Sequence, residues 1–91
     1  MIVNVISLFD RLVGAYTAPA YTKTDKKYLA EEYRRAIVSA PEKLFDLKDR
    51  ELYLLGTFDD ERCEFNLLEK PEFLCRLDDF FPKKEETKDG E

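Results

Sequence analysis

The sequence predicts an α+β fold: a small antiparallel sheet of three to five strands with one amphipathic helix packed on one face. Three observations carry this. Two runs, Ile2 to Phe9 and Leu52 to Phe58, are rich in strand-forming residues and nearly apolar on both faces. Between them, one stretch has a clear 3.6-residue apolar period. The connections are short, which favours sequential antiparallel pairing. The chain has 91 residues, enough for one domain over residues 1–81, followed by a charged tail over 82–91. With 44% apolar and 38% charged residues, the composition is that of a folded domain with a heavily charged surface.

Taken in order, the first strand (IVNVISLF) reads as a central one. Asp10 to Gly14 supplies a loop whose glycine can take positive φ, and Ala15 to Ala18 returns as a short strand until Pro19 ends pairing, because proline has no N–H to donate. Thr24 or Asp25 can cap the helix. Leu29, Tyr33, Ala36, Ile37 and Ala40 then fall on one helical face, and Pro41 stops the helix near Ser39. Glu31 stands four residues before Arg35, a favourable order on the outer face. Pro41 to Asp49 suits an irregular connection or one helical turn. Leu52 to Phe58 is the second convincing strand, with Gly56 marking a bulge or close packing. Asp59 to Arg62 turns the chain, Glu64 to Leu68 forms a short edge strand, and Phe73 to Leu77 forms a final one. From Pro82 onward no apolar residue anchors the chain, and a disordered tail is expected.

Charge is unevenly shared. Residues 1–50 carry nine Lys/Arg against seven Asp/Glu, whereas residues 51–91 carry six against thirteen, and the whole chain is at −5. Any contact with nucleic acid therefore falls to the first half. Within it, Tyr16, Tyr21, Tyr28 and Tyr33 interleave with Lys23, Lys26, Lys27, Arg34 and Arg35. Proteins that hold single strands combine cations that follow phosphates with aromatic faces on which bases stack. The candidate nucleic-acid-binding residues are accordingly Tyr16, Tyr21, Lys23, Lys26, Lys27, Arg34 and Arg35. A plain solvated helix face, with Tyr33 in the core, is the bland alternative.

Catalysis has little support. The chain has no histidine, which removes the common catalytic triads. Ser7 and Ser39 have no identifiable base, and the isolated glycines match no phosphate-binding loop. Asp59, Asp60 and Glu61, or Asp78 and Asp79, are conceivable Mg²⁺ ligands, but acidic residues also simply favour turns. No enzyme, metal or cofactor is expected. Cys63 and Cys75 read as buried, reduced thiols of a cytoplasm, since nothing at the N-terminus has the order of a signal peptide. The longest apolar run is too short to cross a bilayer, and no membrane contact is expected.

Three segments in register resemble a known family. They are Leu8-Phe9-Asp10 through Gly14-Ala15-Tyr16 to Pro19; Leu52-Tyr53-Leu54-Leu55-Gly56-Thr57-Phe58-Asp59-Asp60; and Phe73-Leu74-Cys75 with Phe80 close behind. They are similar to the small nonstructural protein of gokushoviruses, the single-stranded-DNA phages of the microvirus group, over roughly residues 3–81. The middle segment matches that family's L-Y-x-[IL]-G-x-[FY]-D-D stretch. Where the family often places Thr-Gly after the acidic turn, this chain has Arg62-Cys63. The resemblance implies a phage protein absent from the mature capsid, acting in the host bacterial cytoplasm in viral DNA replication or packaging. It carries over no catalytic or ligand residues. The leading expectation is a nonenzymatic accessory factor that contacts single-stranded DNA, or phage or host replication proteins, through residues 16 to 35. The alternative is a protein–protein adapter without direct DNA contact: a homodimer pairing its edge strands, or a binder of a host factor.

Overall fold

The computed structural model describes residues 1–82; all of the expected tail except Pro82 lies outside the described residues. The elements are β1 (Ile2–Asp10), β2 (Ala15–Tyr16), β3 (Ala20–Thr22), α1 (Lys26–Ser39), a 3₁₀ turn (Phe45–Leu47), β4 (Arg50–Asp59), β5 (Glu64–Arg76) and a second 3₁₀ turn (Leu77–Phe80). The strands form one antiparallel sheet curled as a half-barrel around a single helix. The order is β2-β1-β4-β5, with β3 sharing the outer edge of β1 beyond β2. The two strands that are apolar on both faces are thus the two central ones, as their sequences require.

The first hairpin forms as expected, with Gly14 at φ 76° and Asp10 Oδ1 accepting from Leu12 N at 2.9 Å. Pairing, however, stops at Tyr16 rather than Ala18, and the chain resumes pairing with β1 at Ala20 to Thr22, just past Pro19. Thr17 bridges the gap. Its N–H donates to Leu8 O at 2.8 Å, its Oγ1 accepts from Leu8 N at 3.2 Å, and its carbonyl accepts from Ser7 Oγ at 2.7 Å. Ser7 is therefore a satisfied buried hydroxyl, and that bond gives it a structural role.

Helix α1 begins and ends where its sequence says. Asp25 Oδ1 accepts from Lys27 N at 3.3 Å as N-cap, and Ala40, just before Pro41, is the C-cap. Leu29 and Ile37 are fully buried and Tyr33 packs beside them, whereas Ala36 is exposed at the rim of an open groove between α1 and β3. The core joins these to Ile6, Leu52 and Leu54 from the sheet and to Leu77 and Phe81 from the C-terminal segment. Leu44 and Leu47 of the connection pack against it, so that segment is the helical turn laid on the core.

Two expected C-terminal strands turn out to be one. Phe73 to Leu77 is not separate: β5 runs from Glu64 to Arg76, and Leu77 belongs to the 3₁₀ turn. The interruption that the sequence suggests is real but takes the form of a bulge. Leu67 pairs with Gly56 and Glu72 with Leu54, leaving residues 68–71 opposite Leu55 alone. Lys70 and Pro71 sit in this bulge, on the free edge of the sheet, where a charge and a missing N–H both discourage further pairing. At the same level Gly56 has φ 150°, and a Cβ there would lie 2.7 Å from Leu67 Cα and closer still to Asn66 O. Glycine is what lets β5 come this near.

Candidate nucleic-acid interface

Side chains alternate along a strand, so β1 sorts the sheet into two faces. Ile6 and Leu8 point to the helix and core. Val3, Val5, Ser7 and Phe9 therefore point the other way. Residues paired across strands share a face, which places Tyr16 beside Phe9, Tyr21 beside Val5, Tyr53 beside Ser7 and Phe58 beside Val3. On β5, Phe65 and Phe73 follow their partners Phe58 and Tyr53. Seven aromatic rings thus stand on the face away from the helix.

They form two clusters. In the upper one, ring centroids are 5.0 Å apart for Phe9 and Tyr16, 5.5 Å for Tyr16 and Tyr53, and 5.7 Å for Tyr53 and Phe73, a row across four strands. In the lower one, Phe58 lies 4.7 Å from Phe65 and 5.7 Å from Tyr21. The rings meet edge-on or tilted, which is favourable for the pairs and leaves ring surface uncovered. Tyr16, Tyr21, Phe65 and Phe73 are each about half exposed, at 47%, 54%, 50% and 51%. Tyr53 and Phe58 are five residues apart on β4, so the clusters are separated by roughly 16 Å.

The expected binding residues are divided by this arrangement. Tyr16 and Tyr21 lie on the aromatic face. Lys26, Lys27, Arg34 and Arg35 lie on α1, which covers the opposite face, and most already have partners. Lys26 Nζ is 3.0 Å from Glu72, Arg34 makes a two-point contact with Glu31 at 2.5 and 2.8 Å, and Arg35 Nε is 3.7 Å from the same carboxylate. Lys27 sits over the ring of Tyr28. Lys23 follows β3 directly, two residues beyond Tyr21. Residues 16 to 35 are therefore not one surface. The structure adds what the sequence reading missed: Phe9, Tyr53, Phe58, Phe65 and Phe73, and one cation, Arg76. Arg76 pairs with Glu51, which pairs with Phe9, so strand register puts Arg76 on the aromatic face, half exposed.

Residues 3–80 match the family model of the phage ORF5 protein. The chain belongs to that family. In comparisons with curated proteins and with solved structures, nothing matches significantly.

Beyond the upper cluster, past the end of β1, the ORF5-family chain is closed by a network around Arg11. Its guanidinium donates to both carboxylate oxygens of Asp78, at 3.1 and 2.6 Å, and stands 3.5 Å from Asp49 and 3.6 Å from Glu51. This joins the end of β1, the start of β4 and the C-terminal turn. Burial alone would raise the Asp78 pKa, but the Arg11 hydrogen bonds and charge bring it below the usual value. A folded-state pKa below the unfolded one stabilises the protein above about pH 4 and ceases to do so as pH falls through that range. The melting temperature is expected to fall on acidification below about pH 4, and an Arg11→Gln variant to show a flatter acid limb in the same thermal scan.

Members of both acidic clusters have bonding partners within the chain. Asp78 is held by Arg11, and Asp59 Oδ1 accepts from Glu61 N at 3.0 Å, which is turn chemistry. Among the described residues no group of three or more His, Cys, Asp or Glu side chains is arranged to hold a metal ion, and no helix is long and apolar enough to cross a membrane.

The cysteines do not share one environment. Cys75 packs against the core, and burial pushes its thiol up to about 11. Cys63 is exposed in the β4–β5 turn, contrary to the expectation of two buried thiols. Its φ of 55° is left-handed, the conformation glycine adopts most easily, and this is the position where the resembling family often has glycine. The hairpin nonetheless closes in register, with Asp59 opposite Glu64. A thiol-alkylating reagent at neutral pH is expected to label Cys63 rapidly and Cys75 at least roughly 100-fold more slowly, both being labelled in denaturant, as intact-mass spectrometry would show.

Proposed function

We propose that this chain is a nonenzymatic phage accessory protein of the gokushovirus type, serving single-stranded DNA synthesis or packaging in the host cytoplasm. On this reading it holds the single strand by stacking bases on the aromatic sheet face. The observation that carries the proposal is the placement of seven rings from five strands on one face, four of them half exposed. Base–aromatic stacking contributes about 1–3 kcal/mol per base and tolerates any sequence, because every base has a π-face. The two clusters provide two such platforms.

The charge pattern refines the proposal. With the helix cations on the other side of the sheet and largely paired, the strand meets Arg76, and Lys23 where it leaves over the β3 edge. Each neutralised phosphate contributes a slope of about −0.7 to the logarithmic salt dependence for single strands, so a shallow slope between about −1 and −2 is expected. Fluorescence anisotropy of a labelled single-stranded oligomer, titrated at low and moderate salt with duplex as control, tests this. Single-strand-selective binding with a shallow slope supports the reading. A steep slope would move the contact to α1, and no binding even at low salt would end direct DNA contact.

The second reading, an adapter that binds protein, is favoured by the net charge of −5 and by the apolar character of the same face. Its edge-pairing form is less well served, because the bulge at residues 68–71 interrupts the free ladder of β5.

A further inference from the structure

We infer that the upper aromatic cluster selects guanine, through the Glu51–Arg76 pair that borders it. This rests on the stacking reading and adds to it a preferred base. Glu51 and Arg76 are direct cross-strand partners on β4 and β5, in the row that continues through Phe9 to Tyr16. Opposed residues of this kind have Cβ atoms about 5 Å apart. Tyr53 and Phe73 form the next row on the same face. A base stacked on the upper rings therefore has Glu51 and Arg76 bordering it on the same face, with the Arg76 guanidinium turned toward Asp78.

Both groups retain bonding capacity. Glu51 accepts from the Tyr53 hydroxyl at 3.0 Å through Oε1, and its Oε2 lies 3.6 Å from Arg11, too far for a good hydrogen bond. A carboxylate has about four acceptor sites, so some remain for a ligand on this side chain, which is 17% exposed. Arg76 approaches Asp78 only at 3.7 Å, on a carboxylate already held by two bonds from Arg11, and among the described residues its five donors are little used.

The pairing chemistry then distinguishes the bases. On its Watson–Crick edge guanine presents two adjacent donors, N1–H and the N2 amino group, beside the O6 acceptor. The two donors fit the two oxygens of a carboxylate, and O6, with N7 beyond it, fits a guanidinium. Thymine offers one N–H between two carbonyls, which a carboxylate repels. Cytosine and adenine each offer one amino group beside a ring acceptor, so one carboxylate oxygen would face a lone pair.

The test uses the full chain and three labelled oligomers in anisotropy titrations at one salt concentration: all thymine, the same strand with one central guanine, and the same strand with hypoxanthine there, which lacks the N2 amino group. Guanine is expected to bind roughly tenfold tighter than thymine, with hypoxanthine between them. Glu51→Gln is expected to lower the guanine preference while leaving binding of the thymine strand nearly unchanged, whereas Arg76→Gln, which also removes a cation that meets the phosphate backbone, is expected to lower the preference together with the affinity for every strand. Equal binding of the guanine and thymine strands overturns the guanine inference and leaves stacking intact. Failure of all three to bind removes the stacking reading itself. The hypoxanthine comparison alters only the ligand, so it stands even where a variant folds poorly.

Discussion

Gly56→Ala is expected to cost about 4 kcal/mol of folding stability, a large part of the 5–15 kcal/mol available to a small domain. Two effects add. At φ 150° an alanine is held in backbone that side chains rarely adopt, which costs about 1–3 kcal/mol. Its Cβ would also press on Asn66 and Leu67 of β5, and overpacking of this kind costs about 1–3 kcal/mol more. The neighbouring atoms are backbone, so no side chain can rotate away. Leu67→Ala, at a position 63% exposed, is the control and should change stability by less than about 0.5 kcal/mol. Urea unfolding of both variants checks this. A midpoint for Gly56→Ala within error of the parent would mean that β5 does not cross β4 as closely as described.

The second large effect concerns binding. The double substitution Tyr16→Ala with Phe73→Ala removes the two half-exposed rings of the upper aromatic row. At about 2 kcal/mol per lost stack, single-strand affinity should fall roughly 1,000-fold. Because both rings are half exposed, the melting temperature should move little by comparison. Neutralising Lys26, Lys27, Arg34 and Arg35 together should change affinity only a few-fold, since these side chains lie beyond the sheet. The opposite ranking in the same anisotropy assay would place DNA on α1, one part of the 16–35 segment that the sequence alone singles out.

That contrast shows what the sequence reveals and what it hides. Local rules suffice for α1: Asp25 caps it, Pro41 ends it, and Leu29 and Ile37 mark its buried face. They suffice for β1 and β4, whose doubly apolar runs can only be central. They fail where residues distant in the chain decide. The short strand β3 follows a proline and becomes a strand only because β1 has an edge free for Tyr21. The second half of β5 pairs through a four-residue bulge that no local pattern announces. The aromatic face is hidden for the same reason. Phe9, Tyr53, Phe58, Phe65 and Phe73 are separated in sequence by other apolar residues, and only the cross-strand register shows that they share a side. Tyr16 and Tyr21 were legible as candidates because they are local to a basic segment, yet that same locality tied them to helix cations on the other side of the sheet.

The aromatic face also has an optical consequence. The chain contains no tryptophan and five tyrosines. Tyr16, Tyr21 and Tyr53 stand on this one face, so three of the five emitting rings report on it. A base laid against a phenol ring quenches its emission, whereas a protein partner covering the same rings would shield them from a soluble quencher such as acrylamide. Light from the unlabelled protein thus distinguishes a nucleic acid from a protein on this surface, with no dye attached to either.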